Sequence, residues 1–149
     1  MRAIVTGAAS GIGRETALAL ARQIRADGTA PDRAGLFLVD LAAAPLDELV
    51  AQIEQTGVRA GAMVADLGDP AVPAAVVAVA LLGGLDVLVS NAGINPKAAL
   101  ADCPVDQWDR IQAVNTRATW LLGVAARPWL AESRGAIVAT TSAAGPNPT

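Results

Sequence analysis

The 149-residue sequence predicts an α/β fold, a doubly wound parallel sheet with helices on both faces. Three observations lead there. Strand-like segments alternate with helix-forming ones four times, and one more strand comes after them, the pattern of a parallel sheet joined by right-handed crossovers. Leu36–Val39 and Leu85–Val89 are nearly unbroken apolar runs, as expected of strands buried on both faces. A glycine-rich turn, VTGAASGIG from Val5 to Gly13, joins the first strand to the first helix.

Ala3–Thr6 is short and β-rich, and reads as the first strand. Ile12–Arg25 carries good helix formers after the Gly7–Gly13 turn, and Ala26–Gly35 is a polar loop with Gly28, Pro31 and Gly35. The Leu36–Val39 strand ends at Asp40. Pro45–Gln55 reads as a helix closed by Gly57, and Arg59–Ala65 as a weaker strand ending at Asp66. Asp69-Pro70 reads as a cap and first helical residue leading into Val72–Leu82. After Leu85–Val89 comes a loop from Asn91. Pro104 opens one long helix to about Ala131, and Gly135 precedes a final strand, Ala136–Thr141. On the long helix Trp108, Ile111, Asn115, Ala118, Leu122, Ala125 and Trp129 recur at three- and four-residue steps and so share a face. Asn115 is the polar member of that apolar stripe.

Composition narrows the function. Hydrophobic residues make up 53% and charged residues 17%, which suits a packed core and not a disordered chain. A net charge of −3 with scattered arginines disfavours nucleic acid or an anionic membrane as partner. The longest apolar stretch, Ala71–Leu82, is interrupted by Pro73 and falls short of the about 20 residues a membrane span requires. Cys103 is the only cysteine, so no internal disulfide forms; with no visible signal peptide, a cytoplasmic location is expected. There is no histidine, which removes histidine acid–base chemistry and ligation, and no metal is expected. Cys103 reads as a poor helix cap before Pro104, not as a nucleophile, because no histidine could activate it.

The glycine turn suits a phosphate ligand. Gly7, Gly11 and Gly13 let the backbone turn tightly and approach a ligand, and the next helix offers free N–H groups and a positive dipole end to a pyrophosphate. The spacing differs from G-x-G-x-x-G, which would want glycine or alanine at Thr16. Taken alone, the turn is equally a plain connection. Asp40 favours the ligand, because an acid ending the second strand can accept hydrogen bonds from the adenosine ribose of NAD. Its charge would repel the 2′-phosphate of NADP, so NAD is expected over NADP; a solvated carboxylate is the alternative. Arg14 pulls the other way, since it could favour a phosphate nearby.

Four further pieces line up: ADL at Ala65–Leu67, NAG at Asn91–Gly93, VNTRATW at Val114–Trp120 and IVATTSAAG at Ile137–Gly145. With the T-G-x-x-x-G-x-G turn, they resemble the short-chain dehydrogenase/reductase family in its compact branch, over the whole chain and in order. The resemblance implies a single Rossmann-type domain over residues 1–149, with about five strands in the order 3-2-1-4-5. It implies an NAD(P)-dependent oxidoreductase, a homo-oligomer, transferring hydride between the nicotinamide and a small alcohol or carbonyl substrate. By match, Gly7, Ser10, Gly11, Ile12 and Gly13 would cradle the pyrophosphate and Asp40 would hold the ribose. Asp66 and Leu67 would contact adenine, and Asn91, Ala92 and Gly93 would line the cofactor and brace the sheet. Asn115 would be the active-site asparagine and Ser142 the serine that orients the substrate oxygen. On the residues alone, Asn115 reads as a structural hydrogen bond to a neighbouring loop and Ser142 as a turn former; the resemblance favours the functional roles.

One departure stands out. In the family Ser142 would work with a later tyrosine and lysine, the cation favouring the phenolate. This sequence has no tyrosine, and Lys97, its one lysine, lies before the long helix. The chain is therefore expected to be catalytically incomplete, to lack the C-terminal part of the family fold, and to leave Ile137–Thr141 as an apolar edge prone to association. The leading expectation is the cofactor-binding part of a dehydrogenase. A nucleotide-binding module without catalysis, an inactive remnant and an α/β module without nucleotide are the alternatives. Substrate identity is left open, since only the Asn95–Asp102 loop and the loop after Ser142 bear on it.

Overall fold

In the computed structural model, which describes residues 1–28, 30, 33–80, 83–96 and 103–142, strands and helices alternate as the sequence predicts. The order is β1 (Arg2–Thr6), α1 (Gly11–Ala26), β2 (Gly35–Asp40), α2 (Ala43–Glu54), β3 (Ala60–Val64), α3 (Val72–Val79) and β4 (Val87–Ser90). Then come α4 (Val105–Gln112), a π-helical turn (Ala113–Arg117), α5 (Ala118–Ser133) and β5 (Ala136–Ala139). The five strands form one parallel sheet in the order β3-β2-β1-β4-β5, with Ile4 in register with Phe37 on one side and Leu88 on the other.

The unbroken apolar run of β2 has a simple cause. Alternate side chains enter two different cores. Leu36 and Leu38 join Ala3 and Val5 beneath α1 and α2, against Ala17, Ile24, Leu46, Leu49 and Ile53. Phe37 and Val39 join Ile4 and Leu88 on the other face, against Val76 of α3 and Ala118, Leu122, Ala126 and Leu130 of α5.

Three expectations are corrected. The first concerns α3, which starts at Val72 rather than at Pro70. Asp69 forms a turn ahead of the helix, its carboxylate accepting the Ala71 N–H at 2.9 Å and its carbonyl the Val72 N–H at 3.2 Å, and Pro73 takes the early helical position instead. The predicted end at Leu82 lies outside the described residues.

The second concerns the long helix, which is not one α-helix. At the π turn the Ala118 N–H reaches back to the Ala113 carbonyl, which adds a residue to that turn and shifts the phase of α5 relative to α4. The buried row becomes Val114, Ala118, Leu122, Ala126 and Leu130, while Ala125 and Trp129 of the predicted stripe are half-buried. Trp108 and Asn115 are exposed. Alanine is common on every side of this helix, so the sequence contrast between faces was weak.

The third concerns β5, which ends at Ala139 rather than at Thr141. It forms the edge of the sheet beyond β4, with Ile137 48% and Val138 52% exposed. Beside it Trp120 is 65% exposed, at an apolar hollow of about 580 Å³ that also includes Gly123, Val124 and Ile137.

The amino ends of the strands are locked by one carboxylate. Asp86 accepts the Arg2 side chain at 2.8 Å (Nη2 to Oδ1) and 3.2 Å (Nε to Oδ2), and its Oδ2 also accepts the Arg2 backbone N–H at 2.7 Å. Its own N–H donates to the Arg2 carbonyl at 2.9 Å, and its carbonyl accepts the Ala136 N–H at 3.0 Å, so β1, β4 and β5 meet there. The hydrogen bond from Arg2 holds the Asp86 carboxyl below its usual range, although burial opposes this, and the same bond raises the Arg2 pKa. A carboxyl whose pKa is lowered by folding contributes stability above the unfolded value and loses it as pH falls through the folded one. Asp86→Asn is expected to cost roughly 1–2 kcal/mol at neutral pH. In urea denaturation the gap to the parent protein should close below about pH 4; a gap unchanged at about pH 3 would contradict this role.

Candidate functional site

A cleft of about 490 Å³ opens where the carboxyl ends of β1, β2, β3 and β4 meet. The glycine turn forms one wall. Gly7 has φ +64°, and a Cβ there would lie 2.8 Å from the Ala92 Cα. Gly13 is buried against the Gly7 carbonyl and the Asn91 amide, with no room for a Cβ. Gly11, at φ +50°, has nothing within 4 Å of where its Cβ would be. The turn is therefore closed underneath and open on the cleft side. Ser10 caps α1 by backbone alone, with no side-chain hydrogen bond, and the first turn holds no acidic residue. Its free N–H groups and positive dipole end are left for a ligand.

A buried hydroxyl holds the turn to the sheet. Thr6 Oγ1 accepts the N–H groups of Asn91 at 3.0 Å and Ala92 at 3.1 Å, and donates to the Val89 carbonyl at 3.4 Å. Asn91 Nδ2 donates to the carbonyls of Thr6 at 3.2 Å and Gly7 at 3.3 Å, while Asn91 Oδ1 accepts the Thr140 hydroxyl at 3.0 Å. Thr140, expected to be an ordinary strand residue, instead joins the cleft beyond the end of β5.

Two carboxylates stand at strand ends. Asp40 accepts the Ala9 N–H at 2.9 Å and the Ala42 N–H at 3.1 Å, which ties it to the glycine turn. Asp66 Oδ1 accepts the Gly68 N–H at 2.8 Å and Arg110 Nη2 at 2.7 Å. The Arg110 hydrogen bond holds the Asp66 carboxyl below its usual range against the opposing effect of burial, and it raises the Arg110 pKa. Arg117 donates to the Gly68 carbonyl. Arg14 is turned to Gln52 at 2.8 Å and Glu15 at 3.4 Å.

Of the residues singled out from sequence, Gly7, Ser10, Gly11, Ile12, Asp40, Asp66, Leu67, Asn91, Ala92 and Gly93 line this one cleft. Gly13 lies beneath it. Asn115 is exposed and stands one layer back; its Nδ2 donates to the Ile94 carbonyl and its Oδ1 accepts the Ile94 N–H, each at 2.9 Å. The amide thus makes the loop hydrogen bond that its residue type alone suggested, and not as a buried member of the stripe. Ser142 is exposed, three residues past β5, and is not part of the lining. Of the Asn95–Asp102 loop only Asn95 and Pro96 are among the described residues; Lys97, the rest of that loop and the loop after Ser142 lie outside them.

Sequence reasoning missed Val39, Leu41, Ala65, Ile94, Arg110, Val114 and Thr140. Thr140 left a signal, a hydroxyl at the carboxyl end of a parallel strand. Arg110 left none, because its partner is 44 residues away. Among the described residues no group of three His, Cys, Asp or Glu side chains could hold a metal ion, and no helix is long and apolar enough to cross a membrane.

A sequence-family model described as short chain dehydrogenase matches residues 1–149. The chain belongs to the short-chain dehydrogenase family. Among its relatives is the short-chain dehydrogenase/reductase eriH of Hericium erinaceus, 43% identical over 122 residues, covering 80% of this chain and 46% of the relative. The L-rhamnose 1-dehydrogenase (NAD(P)(+)) of Sphingomonas sp. strain SKA58 is 38% identical over 151 residues, covering 93% and 53%. The crystal structure of a short chain dehydrogenase from Burkholderia cenocepacia J2315 in complex with NADP superposes with a TM-score of 0.84 at 38% identity, covering 99% of this chain and 58% of that one. The chain spans about half the length of these short-chain dehydrogenases.

Thr6 offers a direct check on the site's frame. Thr6→Val keeps the shape but strands two partly buried N–H donors, and it is expected to cost roughly 2–3 kcal/mol in chemical denaturation, with Thr6→Ser recovering most of the loss. A Thr6→Val protein as stable as the parent would remove the hydroxyl from this role.

Proposed function

We propose that the cleft binds a nicotinamide dinucleotide, NAD in preference to NADP, and that the enzyme serves hydride transfer between that cofactor and the alcohol or carbonyl of a small molecule. The observation that carries the reading is that the N-terminus of α1, which has no side-chain cap, and the Asp40 carboxylate open onto the same cleft. A pyrophosphate suits the first, and a ribose diol suits the second. The open space at Gly11 is the room such a ligand needs.

In this reading the backbone of Gly7, Ser10, Gly11 and Ile12 cradles the pyrophosphate, and Gly13 lets α1 approach the sheet. Asp40 spends one acceptor site of each oxygen on Ala9 and Ala42, and the remaining lone pairs accept ribose hydroxyls. Asp66 and Leu67 flank adenine. Asn91, Ala92 and Gly93 run beside the nicotinamide half, which when bound supplies the hydride donor or acceptor. Asn115 holds Ile94 on that side, and Ser142 orients the substrate oxygen. The 149 residues contain no tyrosine, so no proton transfer by a phenol is assigned to them.

Family membership supports a nicotinamide cofactor. The preference for NAD rests on the Asp40 charge and on Arg14 being engaged by Gln52 and Glu15. The same reading has a cytoplasmic homo-oligomer with neither nucleic acid nor membrane as partner. For these 149 residues by themselves, which contain no tyrosine, dinucleotide binding without turnover is the second reading.

Titration of the fluorescence of Trp108, Trp120 and Trp129 with cofactor tests the proposal. NADH is expected to quench it and to bind about tenfold more tightly than NADPH, a difference of about 1.4 kcal/mol. Asp40→Ser should erase most of that preference. No response to NADH, or tighter binding of NADPH, would overturn the reading.

A further inference from the structure

The segment from Arg110 to Arg117 is attached to two loops of the cleft at once. Arg110 holds Asp66, Arg117 holds the carbonyl of Gly68, and Asn115 holds both backbone groups of Ile94. Arg110 and Arg117 stand seven residues apart, about two helical turns, so both can reach the same β3–α3 turn. Arg110 also lines the cleft itself.

We propose that Arg110 is a positioning residue for the adenine half of the dinucleotide, fixing the Asp66–Gly68 turn in its binding shape before the ligand arrives. The inference rests on the reading of the cleft as a dinucleotide site. Asp66 Oδ1 takes both the Arg110 guanidinium and the Gly68 N–H, while Oδ2 keeps its acceptor capacity with no hydrogen-bond partner among the described residues. A carboxylate this exposed, at 43% with Arg110 at 40%, would otherwise sample several rotamers. Such a pair adds little to global stability. Its effect lies in cutting the ordering cost of binding. Gly68 belongs to the same device. A Cβ there would run into the Arg110 guanidinium, so glycine lets that group lie over the turn.

Three variants separate the contributions. Arg110→Met keeps the stem and removes the charge. Gly68→Ala keeps every side chain but displaces the guanidinium. Arg110→Lys keeps a single charged donor. The probes are NADH, 5′-AMP and nicotinamide mononucleotide, with binding read by tryptophan fluorescence and calorimetry. Arg110→Met and Gly68→Ala are each expected to weaken NADH and 5′-AMP about five- to tenfold. Nicotinamide mononucleotide should change by less than about twofold, and the melting midpoint by less than about 2 °C. Arg110→Lys should restore part of the loss. Unchanged 5′-AMP affinity in Arg110→Met overturns the proposal, as does an equal loss for all three ligands. If Arg110→Met melts early, unchanged 5′-AMP affinity in Gly68→Ala overturns it instead. A parent protein that binds neither NADH nor 5′-AMP overturns the reading of the cleft itself.

Discussion

The close approach of α1 to the carboxyl ends of β1 and β4 sets the shape of everything around the cleft. Gly13 packs directly under the Gly7 carbonyl, and the Asn91 amide sits against both glycines. Any side chain at either position would push the helix away from the sheet. The distance from the α1 N-terminus to the strand ends would then grow, and the wall of the cleft would move with it. Asn91 and Thr6 convert this contact into hydrogen bonds, so that the turn, β1, β4 and the chain beyond β5 meet at two polar side chains. Buried polar groups in such a knot are costly to leave unpaired, which makes the arrangement specific as well as stable.

Much of this was legible in the sequence, because its causes are local. The unbroken apolar run of β2 reported a strand serving two cores, and the spacing of glycines reported a tight turn ahead of a helix. Carboxylates at the ends of two strands marked the edge at which ligands of open parallel sheets bind. The features that were not legible depend on partners far apart in sequence. The pairs Arg2–Asp86 and Arg110–Asp66 join residues 84 and 44 positions apart, and each arginine looks like an ordinary surface charge in isolation. The π turn was hidden for a different reason. Its effect is a phase shift, and an alanine-rich helix has too little contrast between faces to reveal one. Asn115 was accordingly read as part of a buried stripe, when it reaches sideways to hold Ile94.

The π turn also gives the site a mechanical logic. It lies between Arg110 and α5, where a regular helix would continue without interruption. Through it, one stretch of chain braces the β3–α3 turn and the loop after β4, which form opposite parts of the cleft. If the cleft holds a dinucleotide as proposed, such a ligand is long enough to need both parts held at a fixed separation.

The place where a dinucleotide lands decides whether the glycine turn and the strand-end carboxylates form one site. Backbone amide NMR during an NAD titration reports this directly. The largest shifts are predicted at Ser10, Gly11 and Ile12, with further shifts at Leu41 and Leu67 on the adenosine side. Shifts confined to the apolar hollow around Trp120 and Ile137, or no shifts at the glycine turn, would contradict it.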